Sequence, residues 1–238
     1  MGQLLIKDKD IVTPGEELAK GMDYLPGEGT YRLDDFVRAN KFGLVTINGR
    51  AIKIIPLSGA YLPKSGDVII GDVIDLSMNG WRIDTKSAYS AMLMLKEATS
   101  GYIEKGADLT KYFDIGDYIM AKITNVTSQN LVDLTLRGPG LRKLVGGRII
   151  RVNAHKVPRI IGKQGSMVSM IKEATGCNIS VGQNGVVWIQ GEPKNEIIAI
   201  EAIKMIESES HVSGLTDRIK TSLDKSLRSS KLGEKNDI

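Results

Sequence analysis

A short segment bounded by glycines, Gly162-Lys163-Gln164-Gly165, has the residue types that contact phosphate groups. Glycines at this spacing let the backbone approach a sugar-phosphate closely, because no Cβ atom intervenes. A helix that begins directly after the segment would add unpaired N–H groups and the positive end of its dipole. Arg159 and Lys163 supply mobile positive charge, while Ile160 and Ile161 would seat the segment and offer an apolar floor for bases. The spacing therefore predicts a loop that grips the backbone of a nucleic acid.

Two glycines at this spacing can also make a simple tight turn between helices, which is the usual origin of such a pattern. The distribution of charge favours the binding interpretation. Residues 134–172 carry nine basic side chains and no Asp or Glu, whereas residues 66–133 carry six basic and ten acidic ones. A Walker phosphate loop is excluded, because Gln164 follows the lysine where that loop requires Ser or Thr.

The elements that must position this loop have the order β-α-α-β-β-α. Periodicity predicts strands and helices, in chain order, over 148–152, 157–161, 167–174, 177–181, 186–190 and from Pro193 onward. This order around a glycine-flanked loop is typical of a KH domain, which clamps about four nucleotides. We predict an α+β KH domain over residues 144–210. The residues expected to contact RNA are Arg159, Ile160, Gly162, Lys163, Gln164, Gly165 and Ser166.

Residues 66–137 have the pattern of five longer strands, with a long connection between the third and the fourth. The strands are predicted over 67–76, 81–84, 88–95, 118–126 and 131–136. They suit a five-stranded OB-type β-barrel that binds RNA, with a generic β-sandwich as the alternative. Trp81 and Tyr89 lie on the strands where OB folds stack bases, although a strand tryptophan equally often fills a small barrel. Lys96 and Arg137 are expected to line a phosphate path.

The two ends of the chain differ in character. Residues 1–65 are rich in turn signals, and Asn48-Gly49 between two apolar runs predicts a hairpin, so a small N-terminal β-domain is expected there. At the other end an apolar residue recurs every fourth position from Leu215 to Leu227. This predicts a helix over 213–230 that docks either on the preceding domain or on a partner. Residues 231–238 are predicted to form a disordered tail.

Composition excludes several classes of function. The single cysteine, Cys177, allows neither an internal disulfide nor a thiolate metal cluster within one chain. The two histidines, His155 and His211, have no metal-ligand spacing, and no carboxylates are marked as a catalytic pair. We therefore expect no catalytic residues, no metal and no cofactor. No apolar run is long enough to span a membrane and no secretory signal is present, so a cytoplasmic protein is expected.

Four stretches, Thr13–Glu16, Gly27–Thr30, Pro63–Gly71 and Val157–Gly165, taken with the domain order, resemble the KH-bearing cap subunit of the archaeal exosome. In that family an N-terminal β-domain is followed by an S-one-type OB fold and a KH domain. The resemblance implies that three copies sit on a hexameric ring of RNase PH-like subunits, with the N-terminal domain docked on the ring.

The resemblance further implies a non-catalytic subunit that recruits single-stranded RNA and threads it toward phosphorolytic sites in the ring, for degradation from the 3′ end. Two alternatives remain open from the residues themselves. One is a free-standing RNA-binding regulator that uses the same OB and KH modules, and the other is a structural adaptor whose RNA modules are buried at interfaces.

Overall fold

The structure is a computed structural model, and it describes residues 2–99, 101–104, 106–210 and 214–233. The chain divides into two compact units, Met1–Gly59 and Ala60–Ile238. The first is the N-terminal β-domain, and the second contains the barrel, the KH domain and the final helix. Within the described ranges, no helix is long and apolar enough to cross a lipid bilayer.

The N-terminal unit consists of eight short strands in two four-stranded sheets. The strands are β1 (Gln3–Leu4), β2 (Ile11–Val12), β3 (Glu17–Lys20), β4 (Leu25–Pro26), β5 (Thr30–Leu33), β6 (Phe36–Ala39), β7 (Gly43–Asn48) and β8 (Ala51–Pro56). The sheets have the orders β1-β3-β6-β5 and β2-β7-β8-β4. The predicted hairpin joins β7 to β8, but its two turn residues are Gly49 and Arg50 rather than Asn48 and Gly49, since Asn48 is the last residue of β7 and pairs with Ala51. Gly49 has a positive φ of 60°. Val12, Leu18 and Val45 belong to the buried core of this unit.

The second unit begins with a closed five-stranded barrel, as the sequence predicts. Its strands are β9 (Val68–Ser77), β10 (Gly80–Asp84), β11 (Ser90–Met94), β12 (Tyr118–Val126) and β13 (Val132–Thr135). The barrel closes because β13 pairs with β11 on one side and with β12 on the other. A short helix, α1 (Leu95–Ala98), follows β11. An additional strand that the sequence did not predict, β14 (Arg142–Leu144), extends the sheet beyond β12.

The KH domain has the predicted β-α-α-β-β-α order. Its elements are β15 (Arg148–Arg151), α2 (Val157–Ile161), α3 (Ser166–Thr175), β16 (Asn178–Val181), β17 (Val186–Gln190) and α4 (Pro193–Ser208). The three strands form a sheet of order β15-β17-β16. The helices pack on this sheet around a core that includes Ile160, Ile171, Val187 and Ile203. Gly176 ends α3 in the left-handed conformation, as a C-terminal cap commonly does.

The final helix, α5 (Leu215–Gly233), docks on the KH domain rather than projecting from it. Leu215, Ile219 and Leu223 are buried in the KH core, so the helix extends that core beyond α4. The helix ends three residues later than the predicted limit of 230, within the segment that the sequence predicts to be a tail. Residues 234–238 of that predicted tail, and the side chain of Leu227, lie outside the described part of the chain.

The barrel and the KH domain share a buried apolar cluster. Ile70 of the barrel and Leu144 of β14 pack there with Val186 and Trp188 of the KH sheet. The indole N–H of Trp188 also donates to the carbonyl of Gly146, at 2.7 Å, in the connection between the two domains. These contacts hold the KH domain against the barrel.

Candidate nucleic-acid interface

The glycine-flanked loop leaves α2 through a backbone conformation that Gly162 alone makes possible. Gly162 has φ 76° and ψ 175°, and its N–H donates to the carbonyl of Pro158 at 3.0 Å. A Cβ atom at this position would lie 2.7 Å from both the backbone nitrogen and the Cβ of Met167. Gly162 therefore sets the close approach of α2 to the start of α3.

The second half of the loop turns in the left-handed region and then opens into α3. Gln164 has φ 53° and Gly165 has φ 81°. No atom lies within 4 Å of a Cβ built on Gly165, so space above this residue is open to an approaching phosphate. No side chain caps the N-terminus of α3, which begins at Ser166. The first-turn N–H groups of a helix carry the partial positive charge that attracts anions.

The loop residues divide into exposed and buried ones. Arg159, Lys163, Gln164 and Ser166 are exposed, as a contact with RNA requires. Ile160 is 0% exposed and lies in the KH core, so its predicted contact with RNA is wrong. The Ile160 side chain instead anchors the loop to the KH core, and the neighbouring Ile161 is half-buried.

The charge around the loop is free to meet a ligand. Among the ion pairs that the described residues form, none involves Arg159 or Lys163. Two other cations of the basic segment are engaged, because Lys143 pairs with Asp117 and Arg148 pairs with Glu196 at 2.9 Å. The KH loop thus retains two exposed cations that no described ion pair engages.

The structure settles the alternatives left open for Trp81. Its side chain is 0% exposed, and its indole N–H donates to the carbonyl of Phe113 at 3.0 Å. Phe113 packs against it edge to face, with ring centroids 5.1 Å apart. The prediction of a base-stacking Trp81 is wrong, because this residue fills the barrel.

Tyr89 does not replace Trp81 as an exposed platform. It is half-buried against the barrel core, and its carbonyl accepts hydrogen bonds from the hydroxyls of Thr85 and Ser87. The outward positions of β10 and β11 instead carry Arg82, which is exposed, and Met92, which is half-buried. The strand face of the barrel therefore offers no large exposed aromatic ring on these two strands.

Lys96 and Arg137 are brought together at one end of the barrel. Both are exposed, and the N–H of Leu136 donates to the carbonyl of Glu97 at 2.9 Å, which joins the end of β13 to α1. Tyr89 lies at the opposite end of β11. The predicted barrel residues thus do not form one surface.

The sequence reasoning assigned no role to two cations that the structure places beside Arg137. Arg142 and Lys143 belong to β14, and all three basic residues line one groove. The run of basic residues after Gly138-Pro139-Gly140 was visible in the sequence. The sequence did not show that these residues form a strand at the edge of the sheet, because three residues are too few to show a period.

The side chain of Lys86 forms ion pairs with two aspartates of the barrel. Its Nζ lies 2.6 Å from Asp72 and 2.7 Å from Asp84. Burial alone would lower the pKa of Lys86, but the hydrogen bonds and charges of the two aspartates outweigh burial and raise it. The two ion pairs of this lysine therefore stabilise the barrel.

The barrel, the glycine-flanked loop and their order along the chain define a protein of the S1–KH class. Family models match the KH domain at residues 147–208, the S1 domain of RRP4 at residues 60–125, and the "Exosome complex exonuclease RRP4 N-terminal region" at residues 11–48. These three matches reproduce the predicted domain order.

Whole-chain relatives identify the family. The chain is 44% identical to the "Exosome complex component Rrp4" of Methanothermus fervidus, over 94% of this chain and 99% of that protein. It is 43% identical to the protein of the same name in Pyrococcus furiosus, over 94% of this chain and 86% of that one. A crystal structure titled "putative exosome complex RNA-binding protein" superposes with a TM-score of 0.66 at 33% identity, covering 72% of this chain and 99% of that chain. The chain belongs to the Rrp4 family of exosome components, which confirms the resemblance found in the sequence.

Proposed function

We propose that this chain caps a ring of RNase PH-like subunits in the exosome, three copies to a ring, and delivers single-stranded RNA to it in the cytoplasm. The chain recruits and threads RNA for degradation from the 3′ end and leaves cleavage to the ring. The observation that carries this proposal is the open KH loop with exposed cations, in a chain of the exosome Rrp4 family.

The loop supports contact with RNA backbone rather than with a particular base. Gly165 leaves open space above the backbone, and Arg159 and Lys163 stand exposed beside it. A KH loop of this kind holds about four nucleotides. Because phosphate contacts release counterions, affinity for RNA is expected to fall as salt rises.

The N-terminal unit supports docking on another protein. Ile11 of β2, Leu44 of β7 and Ile55 of β8 are register partners across three neighbouring strands, and all three point away from the core. Ile11 is 61% exposed and Ile55 is 56% exposed. A contiguous apolar row on the surface is typical of an interaction site. This row is the surface that we assign to the ring.

We assign no cleavage to this chain. The eight loop residues 159–166 are of six types, Arg, Ile, Gly, Lys, Gln and Ser. None of these types supplies a carboxylate or an imidazole that could activate a nucleophile. Among the described residues, no cluster of three or more His, Cys, Asp and Glu side chains is arranged to hold a metal ion.

The proposal is tested by reconstitution with a ring of RNase PH-like subunits, comparing the wild-type chain with Gly165→Asp and Gly176→Asp. The two glycines are matched, because each has positive φ and neither has an atom within 4 Å of an added Cβ. Gly165 lies in the loop and Gly176 lies at the far end of α3. We expect Gly165→Asp to weaken RNA binding about tenfold by placing a carboxylate against the phosphates, and to slow degradation, while Gly176→Asp matches wild type.

Two results would contradict the proposal. One is a wild-type chain that neither joins the ring nor increases RNA binding or degradation by it. The other is equal RNA affinity in both variants and wild type, which would leave the loop without a role in recruitment.

A further inference from the structure

A groove of about 660 Å³ opens on the barrel where the chain passes from β13 to β14. Its lining includes three basic residues, Arg137, Arg142 and Lys143, and three apolar ones, Phe113, Leu136 and Leu141, which we call its floor. We call this the linker groove. None of its described lining residues is acidic, and none belongs to β10 or β11. The linker groove is therefore separate from the strand face of the barrel and from the KH loop.

The three cations of the linker groove are held in different ways. Lys143 pairs with Asp117, and the guanidinium of Arg142 lies 5.4 Å from the centre of the Trp188 ring. No hydrogen bond or ion pair among the described residues engages the side chain of Arg137, which is exposed. Arg142 is thus positioned by an aromatic ring, while Arg137 is available to a ligand.

The floor of the groove restricts the class of ligand. Phe113 is 7% exposed and Leu136 is 9% exposed, whereas Leu141 is half-buried, so the apolar surface that a ligand would cover belongs mainly to Leu141. Guanidinium groups match the planar, bidentate geometry of phosphate oxygens. A volume of about 660 Å³ lies within the range of small-molecule pockets. A nucleotide supplies both an anionic group and a flat apolar ring.

We propose that the linker groove binds one segment of single-stranded RNA, with phosphate on Arg137 and Arg142 and a base against Leu141. This inference rests on the proposed RNA-binding function and adds a second point of contact to it. The groove lies on the connection that joins the barrel to the KH domain. A strand bound there and at the KH loop would be held at two sites of one compact unit, which raises the affinity of both together.

Two variants test the linker groove, one by removing a cation and the other by adding a carboxylate. Arg137→Gln removes a cation whose side chain supports nothing else in the described structure. Gly138→Asp adds a carboxylate at a position where the nearest atom to a new Cβ is the flexible end of Leu141, at 3.1 Å. Arg50→Gln is the charge-matched control, because Arg50 is equally exposed but lies in the N-terminal unit.

RNA affinity of the full chain is measured by fluorescence anisotropy across a range of salt. We expect Arg137→Gln to weaken binding about fivefold and to reduce the slope of log affinity against log salt by about 0.7, the value for one phosphate contact on a single strand. Gly138→Asp should weaken binding further, and Arg50→Gln should match wild type. RNA carrying iodouridine should crosslink to Phe113 or to residues 136–143.

The outcomes separate this inference from the proposed function. If wild type binds RNA, but Arg137→Gln and Gly138→Asp bind it as tightly as Arg50→Gln does, the inference is overturned while the proposed function stands. Loss of ring assembly with unchanged RNA affinity would make the groove a protein contact, which also overturns it. If wild type itself binds no RNA, the proposed function has failed.

Discussion

The side chain of Asn184 forms a pair of hydrogen bonds with the backbone of Ile70, 114 residues earlier in the chain. The amide Nδ2 donates to the Ile70 carbonyl at 2.8 Å, and Oδ1 accepts from the Ile70 N–H at 3.3 Å. Nδ2 also donates to the carbonyl of Thr85 at 2.9 Å. The tip of a KH hairpin thereby bonds to strand β9 of the barrel and to the residue that follows β10. RNA sites on the two domains are consequently fixed relative to each other.

Replacing Asn184 should weaken this junction. In Asn184→Ala the buried polar groups of Ile70 and Thr85 lose their partner, so we expect the free energy of unfolding to fall by about 1–3 kcal/mol. Denaturant unfolding measures this loss, and hydrogen exchange should show a less protected Ile70 amide. Gln183→Ala is the comparison, because Gln183 is exposed and its side chain bonds only Val68. An Asn184→Ala variant as stable as Gln183→Ala would contradict the junction's role.

The two loop glycines should differ in their tolerance of alanine. Gly162→Ala places a methyl group 2.7 Å from the backbone of Met167 at positive φ, so we expect a loss of about 3 kcal/mol or more. Gly165→Ala meets no atom within 4 Å and carries only the cost of its backbone conformation, about 1 kcal/mol. Thermal unfolding of the two variants measures the difference. Equal losses would show that the close approach at Gly162 is not a constraint.

The ion pair between Lys86 and Asp84 should make part of the free energy of unfolding depend on pH. Burial alone would raise the pKa of Asp84, but hydrogen bonds from Lys86 and the charges of Lys86 and Arg151 outweigh it and hold the pKa below its usual range. A carboxyl with a lowered pKa stabilises the fold fully above its unfolded pKa, about 3.9, and this stability is lost as pH falls through the folded value.

The stability difference between wild type and Lys86→Gln should therefore be greatest near neutral pH and shrink below about pH 4. Denaturant unfolding at a series of pH values measures it. Lys172→Gln is the control, because Lys172 is exposed and in no ion pair of the described structure. A difference that stays constant as the medium is acidified would show that Lys86 does not act through the aspartates.

Trp81 should affect stability and leave RNA binding unchanged. Trp81→Phe removes the donor to the Phe113 carbonyl and leaves a small cavity, so we expect a loss of about 1–3 kcal/mol. RNA affinity, measured by anisotropy well below the melting temperature, should equal that of wild type. A selective loss of affinity in a fully folded variant would restore the base-stacking role.

Sequence reasoning recovered the architecture because the apolar periods of strands and helices are local. The two alternatives left open for Trp81 could have been decided from the sequence, since strand alternation places Trp81 on the same face as Ile83, which is buried in the barrel. The linker groove could not be predicted from the sequence, because two of its lining residues belong to β14, and that strand is defined by its pairing with β12. The bond between Asn184 and Ile70 likewise joins residues whose distance in sequence gives no local signal.

The central claim is that cations around an open, glycine-flanked backbone grip the phosphates of unpaired RNA. It is tested most directly by crosslinking single-stranded RNA to the chain in its assembled complex and mapping the attached peptides by mass spectrometry. We predict crosslinks within residues 156–172. RNA that remains bound to the assembly while this segment carries no crosslink would contradict the claim.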